Sequence, residues 1–470
     1  MKDLLYKILF FSTIAIMLAF MVQTVSPFVH FEPLNGVTEE LEKPQISFQS
    51  YAESSLQEYM EASVRKHFGF REPLIRLYNQ YLWSCFHETN NANVFRGKGN
   101  WLFNRATVQN HYESLMYRYS NDTTEMKRIL ETEALRLWKV QELLEEYNIH
   151  IFVDINPSKD MIYPEYLPQN RSFLRPEGVR AYDYFKKRFD ELGVNYIDFV
   201  PVFQSIKDSV KYPLFPMTGI HWSNIAAWQA FDSIVRYMEM LGDQNLVNLY
   251  IGDMHHHNET RPPDNDLELV LNLASPIKSP KNVYAYVGVE KDSTAAKPNL
   301  LVMGDSFFWN ILSNIPLWDI FQSNPYWYYN SSIHGDKKHK HTSEVDWEQE
   351  LMRSDYIMLI YNPVSLYEFS SYFLPKAMVH LCYDKTSIDS LARDIVGTIT
   401  LSDPSLYDEA KHVAEKTGQS LEKVLYDDAL HLLYTEPEKY IKELRGHLIP
   451  TSRNKDLKVI RQKHTSTLIQ

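Results

Sequence analysis

Short apolar runs separated by long amphipathic segments set the architectures open to this chain. Ile149–Ile155, Val194–Phe199, Asn299–Met303 and Tyr356–Tyr361 each read as a strand, while residues 122–147, 176–192 and 223–241 carry the three-and-four spacing of helices. Such alternation predicts an α/β three-layer domain, with a mostly parallel sheet, right-handed crossovers and helices on both faces. Chemistry in these sheets collects beyond the carboxyl ends of the strands. Three of the strands run into polar or turn residues there: Asn156, then Asp305 with Ser306, then Asn362.

Ahead of this pattern, Ile8–Val25 is almost wholly apolar and uncharged, and Phe28 and Val29 extend it. At about 1.5 Å per residue such a run crosses most of a bilayer. Lys2 and Lys7 precede it and no basic cluster follows closely, so the positive-inside rule predicts a cytoplasmic N-terminus and an extracytoplasmic remainder. No A-x-A cleavage site stands near Val25, which favours a retained single-pass anchor in a bacterial cytoplasmic membrane over a removed signal peptide. The expected organisation is an anchor over 1–29, a polar stalk over 30–54, an α/β domain with a helical lead-in over 55–385, and a helical extension over 386–470. Within the lead-in, Tyr59, Met60, Val64 and Phe68, then Leu74, Leu77, Tyr78 and Tyr81, predict two amphipathic helices; residues 94–103 predict a hairpin.

A formal net charge of −12, with no Arg/Lys stripe, excludes a general nucleic-acid binder. Cys85 and Cys382 are the only cysteines, too few for a disulfide framework and without metal-ligand spacing; two unrelated buried thiols are expected. Asp253-Met254-His255-His256-His257 gathers three histidines, but consecutive side chains rarely converge on one ion, so a solvated loop is expected and no metal is assigned. His334–His341 reads as a mobile basic loop, and Pro325–Tyr329 as a candidate sugar-stacking platform.

The chemistry centres on Leu301–Asn310, LVMGDSFFWN. A serine hydroxyl is a weak nucleophile and needs a tight turn, a base and backbone N–H groups for an oxyanion. A strand followed by Gly304-Asp305-Ser306 and a helix supplies that layout. The base comes from Thr218–Ser223, TGIHWS, where His221 opens a helix. Asn156 and Lys159, in NPSKD, are placed with Gly304 as oxyanion or substrate contacts; Asn-Pro-Ser is also an ordinary turn.

FGFREPLIRLYN (68–79), VFRGKGNWLF (94–103), NPSKDMIYPEYLP (156–168), TGIHWSNIAAWQAF (218–231), NDLELVLNL (265–273) and GDSFFWN (304–310), in that order behind one membrane helix, resemble the AlgX/AlgJ-type SGNH hydrolase-like family of polysaccharide O-acetylation proteins. The resemblance covers roughly residues 55–385 and implies an O-acetyltransferase with Ser306 as acyl-accepting nucleophile and His221 as base, needing no dissociable cofactor. It also implies a polysaccharide substrate and a membrane-bound O-acyltransferase partner that passes acetyl across the bilayer. One position departs from the pattern. The family's D-x-H-W aspartate is replaced by Gly219, leaving Asp154, Asp160, Asp198 or a backbone carbonyl to orient His221; Asp305 is expected to bond its own turn instead. A carbohydrate acetylesterase would use the same residues with water as acceptor. A catalytically weakened polysaccharide-binding scaffold is the reading that the missing aspartate favours.

Overall fold

The computed structural model describes residues 2–36, 43–112, 123–168, 180–279, 282–441 and 444. Part of the expected stalk (37–42), the first residues of the helices expected over 122–147 and 176–192, and most of the extension beyond 441 lie outside the described residues. The chain divides into two compact units.

The first unit comprises residues 1–105, 217–220 and 258–280. It opens with α1 (Lys2–Val25), in which Leu4–Val25 is long and apolar enough to cross a membrane. There follow α2 (Phe48–Ala52), α3 (Ser55–His67) and α4 (Arg71–Tyr81). The expected hairpin forms as β1 (Val94–Arg96) paired antiparallel with β2 (Leu102–Asn104). Trp83, Val94, Leu102, Leu267, Leu271 and Ile277 make a small core. Around it, Met217–Ile220 is tied down at several points: Leu102 N–H donates to the Met217 carbonyl at 2.9 Å, Glu268 N–H to that of Thr218 at 3.1 Å, and Ile220 N–H to Asp266 Oδ1 at 2.8 Å. Asp266 and Glu268 belong to the NDLELVLNL segment, which holds the backbone of residues 218–220.

The second unit is built on β3 (His150–Ile155) and β4 (Tyr196–Asp198). β5 (Leu249–Ile251) and β6 (His255–His257) follow, then β7 (Asn282–Tyr284) and β8 (Val287–Val289), and β5 pairs with β8 and β6 with β7. The sheet is completed by β9 (Leu300–Gly304), β10 (Tyr326–Tyr328), β11 (Ser332–His334) and β12 (Tyr356–Tyr361). Its order is β11-β10-β9-β12-β3-β4, parallel except for the β10–β11 hairpin at one edge. Strands β9 and β12 are buried along their whole length, as parallel strands covered on both faces must be. Alternate residues serve opposite layers. Ile151, Val153, Leu301, Met303, Ile357 and Leu359 share a core with the helices Thr123–Glu145, Ala181–Leu192 and Phe373–Cys382. On the other face Phe152 meets Tyr237 of the helix Asn224–Gly242 at 5.5 Å, and Tyr356 Oη donates to the Met238 carbonyl at 2.9 Å. The three layers match the expectation.

Helices Lys385–Ser402, Pro404–Thr417 and Leu421–Thr435 place Ile388, Ala392, Ile395, Ala410, Val424 and Leu433 in the same core as the sheet residues. Arg136 closes this junction with salt bridges to Glu133 at 2.5 Å and Glu438 at 2.6 Å. Both cysteines are free; Cys382 is half-buried, whereas Cys85 is exposed, against the expectation of two buried thiols. His255–His257 forms a short exposed strand where a loop was expected, because β7 offers it a pairing edge.

Candidate active site

Strand β9 runs between β10 and β12 and delivers Ser306 two residues past its ladder. Asp305 N–H donates to the Ile360 carbonyl at 3.0 Å, and the Gly304 carbonyl accepts from Tyr329 N–H at 3.0 Å. Gly304 is required here by space: a Cβ on it would lie 1.9 Å from the Ile360 carbonyl oxygen. The chain then turns into the helix Phe308–Asn314, with Trp309 N–H donating to the Ser306 carbonyl at 3.1 Å. After β9 the chain leads to β10 on one side, and after β3 to β4 on the other. The carboxyl ends of β9, β12 and β3 therefore border the kind of crevice in which α/β sheets bind ligands.

His221 reaches this crevice from the loop before the helix Asn224–Gly242. Its Nε2 stands 2.8 Å from Ser306 Oγ, and both residues are half-buried, open to a substrate. The 85 residues that separate them are bridged by a clamp. Trp222, fully buried, donates from Nε1 to the Phe307 carbonyl at 3.2 Å, while Asn310 Nδ2 donates back to the Trp222 carbonyl at 2.8 Å. Asn224 Nδ2 bonds Asn314 Oδ1 at 2.9 Å, and Phe307 meets the His221 ring edge-on at 5.1 Å. Ser223 caps the following helix through Ala226 N–H at 3.3 Å and donates its hydroxyl to the Pro213 carbonyl at 2.7 Å, fixing the loop stem. The sequence reading missed the roles of Trp222 and Asn310, although both lie inside the quoted motifs. The signal for them is a buried-type aromatic beside the histidine and a polar residue one helical turn beyond the serine.

Asp305 is the hub of the turn. Its Oδ1 accepts from Phe307 N–H at 3.0 Å and its Oδ2 from Asn362 N–H at 2.8 Å, joining the ends of β9 and β12. Burial pushes its carboxyl above the usual range, while those two N–H groups and the nearby His221 pull it back down. The turn-bonding role expected for Asp305 is the one observed. Among the described residues the Ser306 N–H has no hydrogen-bond acceptor, which leaves it a free backbone donor beside Oγ.

Asp154 is a correction. It was expected as the acid behind His221, but it is completely buried and its hydrogen-bond partner among the described residues is Asn156. The Asn156 amide nitrogen, oriented to satisfy both groups, donates to the two Asp154 oxygens at 3.2 and 3.3 Å. Burial, with the Asp305 and Asp198 carboxylates adding to it, holds Asp154 well above the usual carboxylate range. Its interactions among the described residues are with Asn156 and the two carboxylates, not with His221. Asn156, fully buried, is thereby committed to Asp154, and Lys159, 3% exposed, sits in the interior at the start of the short helix Lys159–Ile162, so neither forms the open rim expected of them. Asp198 is also occupied, accepting from Val200 N–H at 3.0 Å, Tyr182 Oη at 2.8 Å and Lys186 Nζ at 2.7 Å. Gly219 is buried, so the aspartate missing from the sequence has no substitute at its own position.

Two further expectations change. The proposed platform Pro325–Tyr329 is strand β10, whose Tyr326 and Trp327 are buried to pack the sheet; Tyr326 Oη donates to the Asp305 carbonyl. Trp309 rather than that pair fills the space beside β10, with ring contacts to Tyr328 at 5.8 Å and to His334 at 4.5 Å. The segment His334–His341 is not a loose loop, since Asp336 binds His339 at 3.0 Å and Glu344 accepts from Lys340 N–H at 2.8 Å.

A serine on a strand-to-helix turn at the carboxyl edge of a parallel sheet, touched by a histidine from a separate loop, defines the SGNH hydrolase-like class. Residues 94–308 match the family described as SGNH hydrolase-like domain, acetyltransferase AlgX, the family that the motifs resemble. No curated protein matches by sequence. Among solved structures the chain is similar to the O-acetyltransferase domain of Pseudomonas putida AlgJ, with 16% identity, 58% of this chain and 92% of that one covered, and a TM-score of 0.40. Pseudomonas aeruginosa AlgX follows with 12% identity, coverage of 62% and 68%, and a TM-score of 0.39. Bacillus cereus PatB1 with a sulfonyl adduct has 12% identity, coverage of 60% and 99%, and a TM-score of 0.36. These structural likenesses are distant, and the reading of the site rests on its own geometry and on the family match.

Proposed function

We propose that this chain is an extracytoplasmic O-acetyltransferase that moves an acetyl group onto hydroxyls of a polysaccharide through an acyl-serine at Ser306. The observation that carries the proposal is the 2.8 Å contact between His221 Nε2 and Ser306 Oγ at the carboxyl edge of β9. The family match over 94–308 supports acetyl transfer as the chemistry.

In the first half-reaction His221 Nε2 takes the Ser306 proton as Oγ attacks the acetyl carbonyl. The Ser306 N–H faces the developing oxyanion. Collapse expels the donor's leaving group, which receives the proton from His221. In the second half a sugar hydroxyl gives its proton to His221, attacks the acyl-serine and departs as the acetyl ester while Oγ recovers the proton. The Trp222–Asn310 clamp fixes the loop that carries the imidazole. In this proposal α1 is the retained anchor, its N-terminus is cytoplasmic, and a membrane-bound O-acyltransferase supplies acetyl from the other side.

Incubating the full chain with p-nitrophenyl acetate and an unacetylated polysaccharide tests the reading. An acetyl adduct of 42 Da on the peptide containing Ser306, followed by ester on the glycan, is the expected result. Acetate release without glycan ester, even at high glycan, identifies an esterase. A Ser306→Ala chain that still acetylates the glycan would end the proposal.

A further inference from the structure

Helix α4 is amphipathic but turned inside out. Its inward side is polar: Asn79, buried, donates to the Leu271 carbonyl at 2.8 Å, and Arg76 donates to the carbonyls of Glu32 and Pro33 at 3.0 and 2.9 Å. Its outward side carries Leu74, Leu77, Tyr78 and Tyr81, each at least 42% exposed. Their spacing of three and four residues makes one continuous apolar stripe. Helix α3 repeats the arrangement: none of its 13 residues is buried, and Met60, Val64 and the following Phe68 are exposed in a row. A water-facing unit gains nothing from such a surface, which is larger than scattered surface apolars account for.

What covers it is indicated by the turn between the two helices. Phe68, Gly69 and Phe70 are packed on the end of α1, with Phe20 5.5 Å from Phe68 and 5.2 Å from Phe70, and Gly69 N–H donating to Thr24 Oγ1 at 2.9 Å. The fit is close enough that a Cβ on Gly69 would lie 2.6 Å from the Phe20 carbonyl oxygen. Phe20 precedes the end of the apolar span at Val25 by five residues, a depth of about 8 Å at the helical rise. Helices that lie in a lipid interface bury their apolar face by about 5–10 Å, so the turn stands at the depth such a helix occupies. Arg65 and Lys66 in the last turn of α3 are exposed near the same turn, where lipid phosphates would meet them. Tyr78 and Tyr81 are of the type enriched at the boundary between headgroups and acyl chains.

We propose that α3 and α4 form an interfacial helical hairpin that lies on the membrane leaflet from which α1 emerges, with phospholipid covering the stripe Met60–Val64–Phe68 and Leu74–Leu77–Tyr78–Tyr81. The inference rests on α1 being a retained anchor. It adds a second, in-plane attachment for the first unit.

The test uses the full chain in liposomes of phosphatidylethanolamine and phosphatidylglycerol, with Cys85→Ser and Cys382→Ser as background. Single cysteines at Val64→Cys and Leu77→Cys, and at Glu58→Cys on the polar side, carry an environment-sensitive nitrobenzoxadiazole label. The expected result is blue-shifted emission at 64 and 77, quenched at least about twofold more by shallow nitroxide lipids than the label at 58. Equal, water-like emission at all three sites overturns the inference. So does blue-shifted emission that nitroxide lipids leave unquenched, which would mean that protein covers the face. Washing the same liposomes with alkaline carbonate separates the two layers of the argument. Release of the chain removes the anchor on which the inference stands, whereas retention with unquenched labels overturns the interfacial hairpin alone.

Discussion

Substituting Gly304 by alanine probes the geometry on which the catalytic reading depends. The added Cβ meets the Ile360 carbonyl oxygen at 1.9 Å, and β9 is held between β10 and β12 by parallel ladders on both sides. An ordinary contact needs more than about 3 Å, so the end of β9 must withdraw by roughly 1 Å or more, and overpacking of this kind costs about 1–3 kcal/mol. The withdrawal falls on the Asp305 N–H bond to Ile360, now 3.0 Å, a loss of about 1 kcal/mol. The sum, about 2–4 kcal/mol, corresponds to a Tm lowered by roughly 3–6 °C for a unit of this size. Ser306 moves with the strand end, and a misplacement of about 1 Å costs on the order of 100-fold in rate. The assay is acyl transfer from p-nitrophenyl acetate alongside differential scanning fluorimetry of the same preparation. A Gly304→Ala chain with unchanged Tm and unchanged rate would refute the argument that β9 is packed too tightly against β12 for any side chain. A lowered Tm with full activity would refute the link from the strand end to the serine.

Asn310→Ala removes the donor to the Trp222 carbonyl; kcat should fall roughly 10- to 100-fold with KM unchanged, and an equal rise in KM would reassign Asn310 to substrate binding. Asp154→Asn should remove a pH dependence. Because burial raises the folded pKa of Asp154 above its unfolded value, the wild-type chain keeps this contribution below about pH 4 and loses it as pH rises through the folded value. The variant should therefore gain relative stability above about pH 4, by up to about 1.4 kcal/mol per unit, and urea midpoints between pH 4 and 8 that stay parallel would contradict the assignment. Arg136→Ala leaves Glu133 buried without its cation; a loss of about 3–5 kcal/mol is expected in urea unfolding, and a loss below about 1 kcal/mol would show that the C-terminal helices are held by apolar packing alone.

Local pattern was enough to place much of this protein. The runs that became β3, β9 and β12, the long helices between them, the hairpin at Val94–Asn104 and the apolar α1 are all set by spacing and propensity within a few residues of each other. Gly304-Asp305-Ser306 and the His221 loop were legible for the same reason: a turn after an apolar strand, and a histidine opening a helix. The aromatics of β10 looked like a binding surface because composition does not say which side of a sheet a ring will face; pairing with β9 and β11 put Tyr326 and Trp327 inside.

Position along the chain determined which residue types were available for chemistry, and three-dimensional packing decided which of them met. Asp154 ends buried beside Asn156 and two other carboxylates, so the direction of its pKa shift follows from burial and neighbours that come from separate strands. The contact between His221 and Ser306 depends on Trp222 and Asn310 crossing between two helices that are distant in the chain. Periodicity reports only what residues three or four apart share, whereas desolvation and hydrogen bonds across a core exist only once distant segments have closed upon one another.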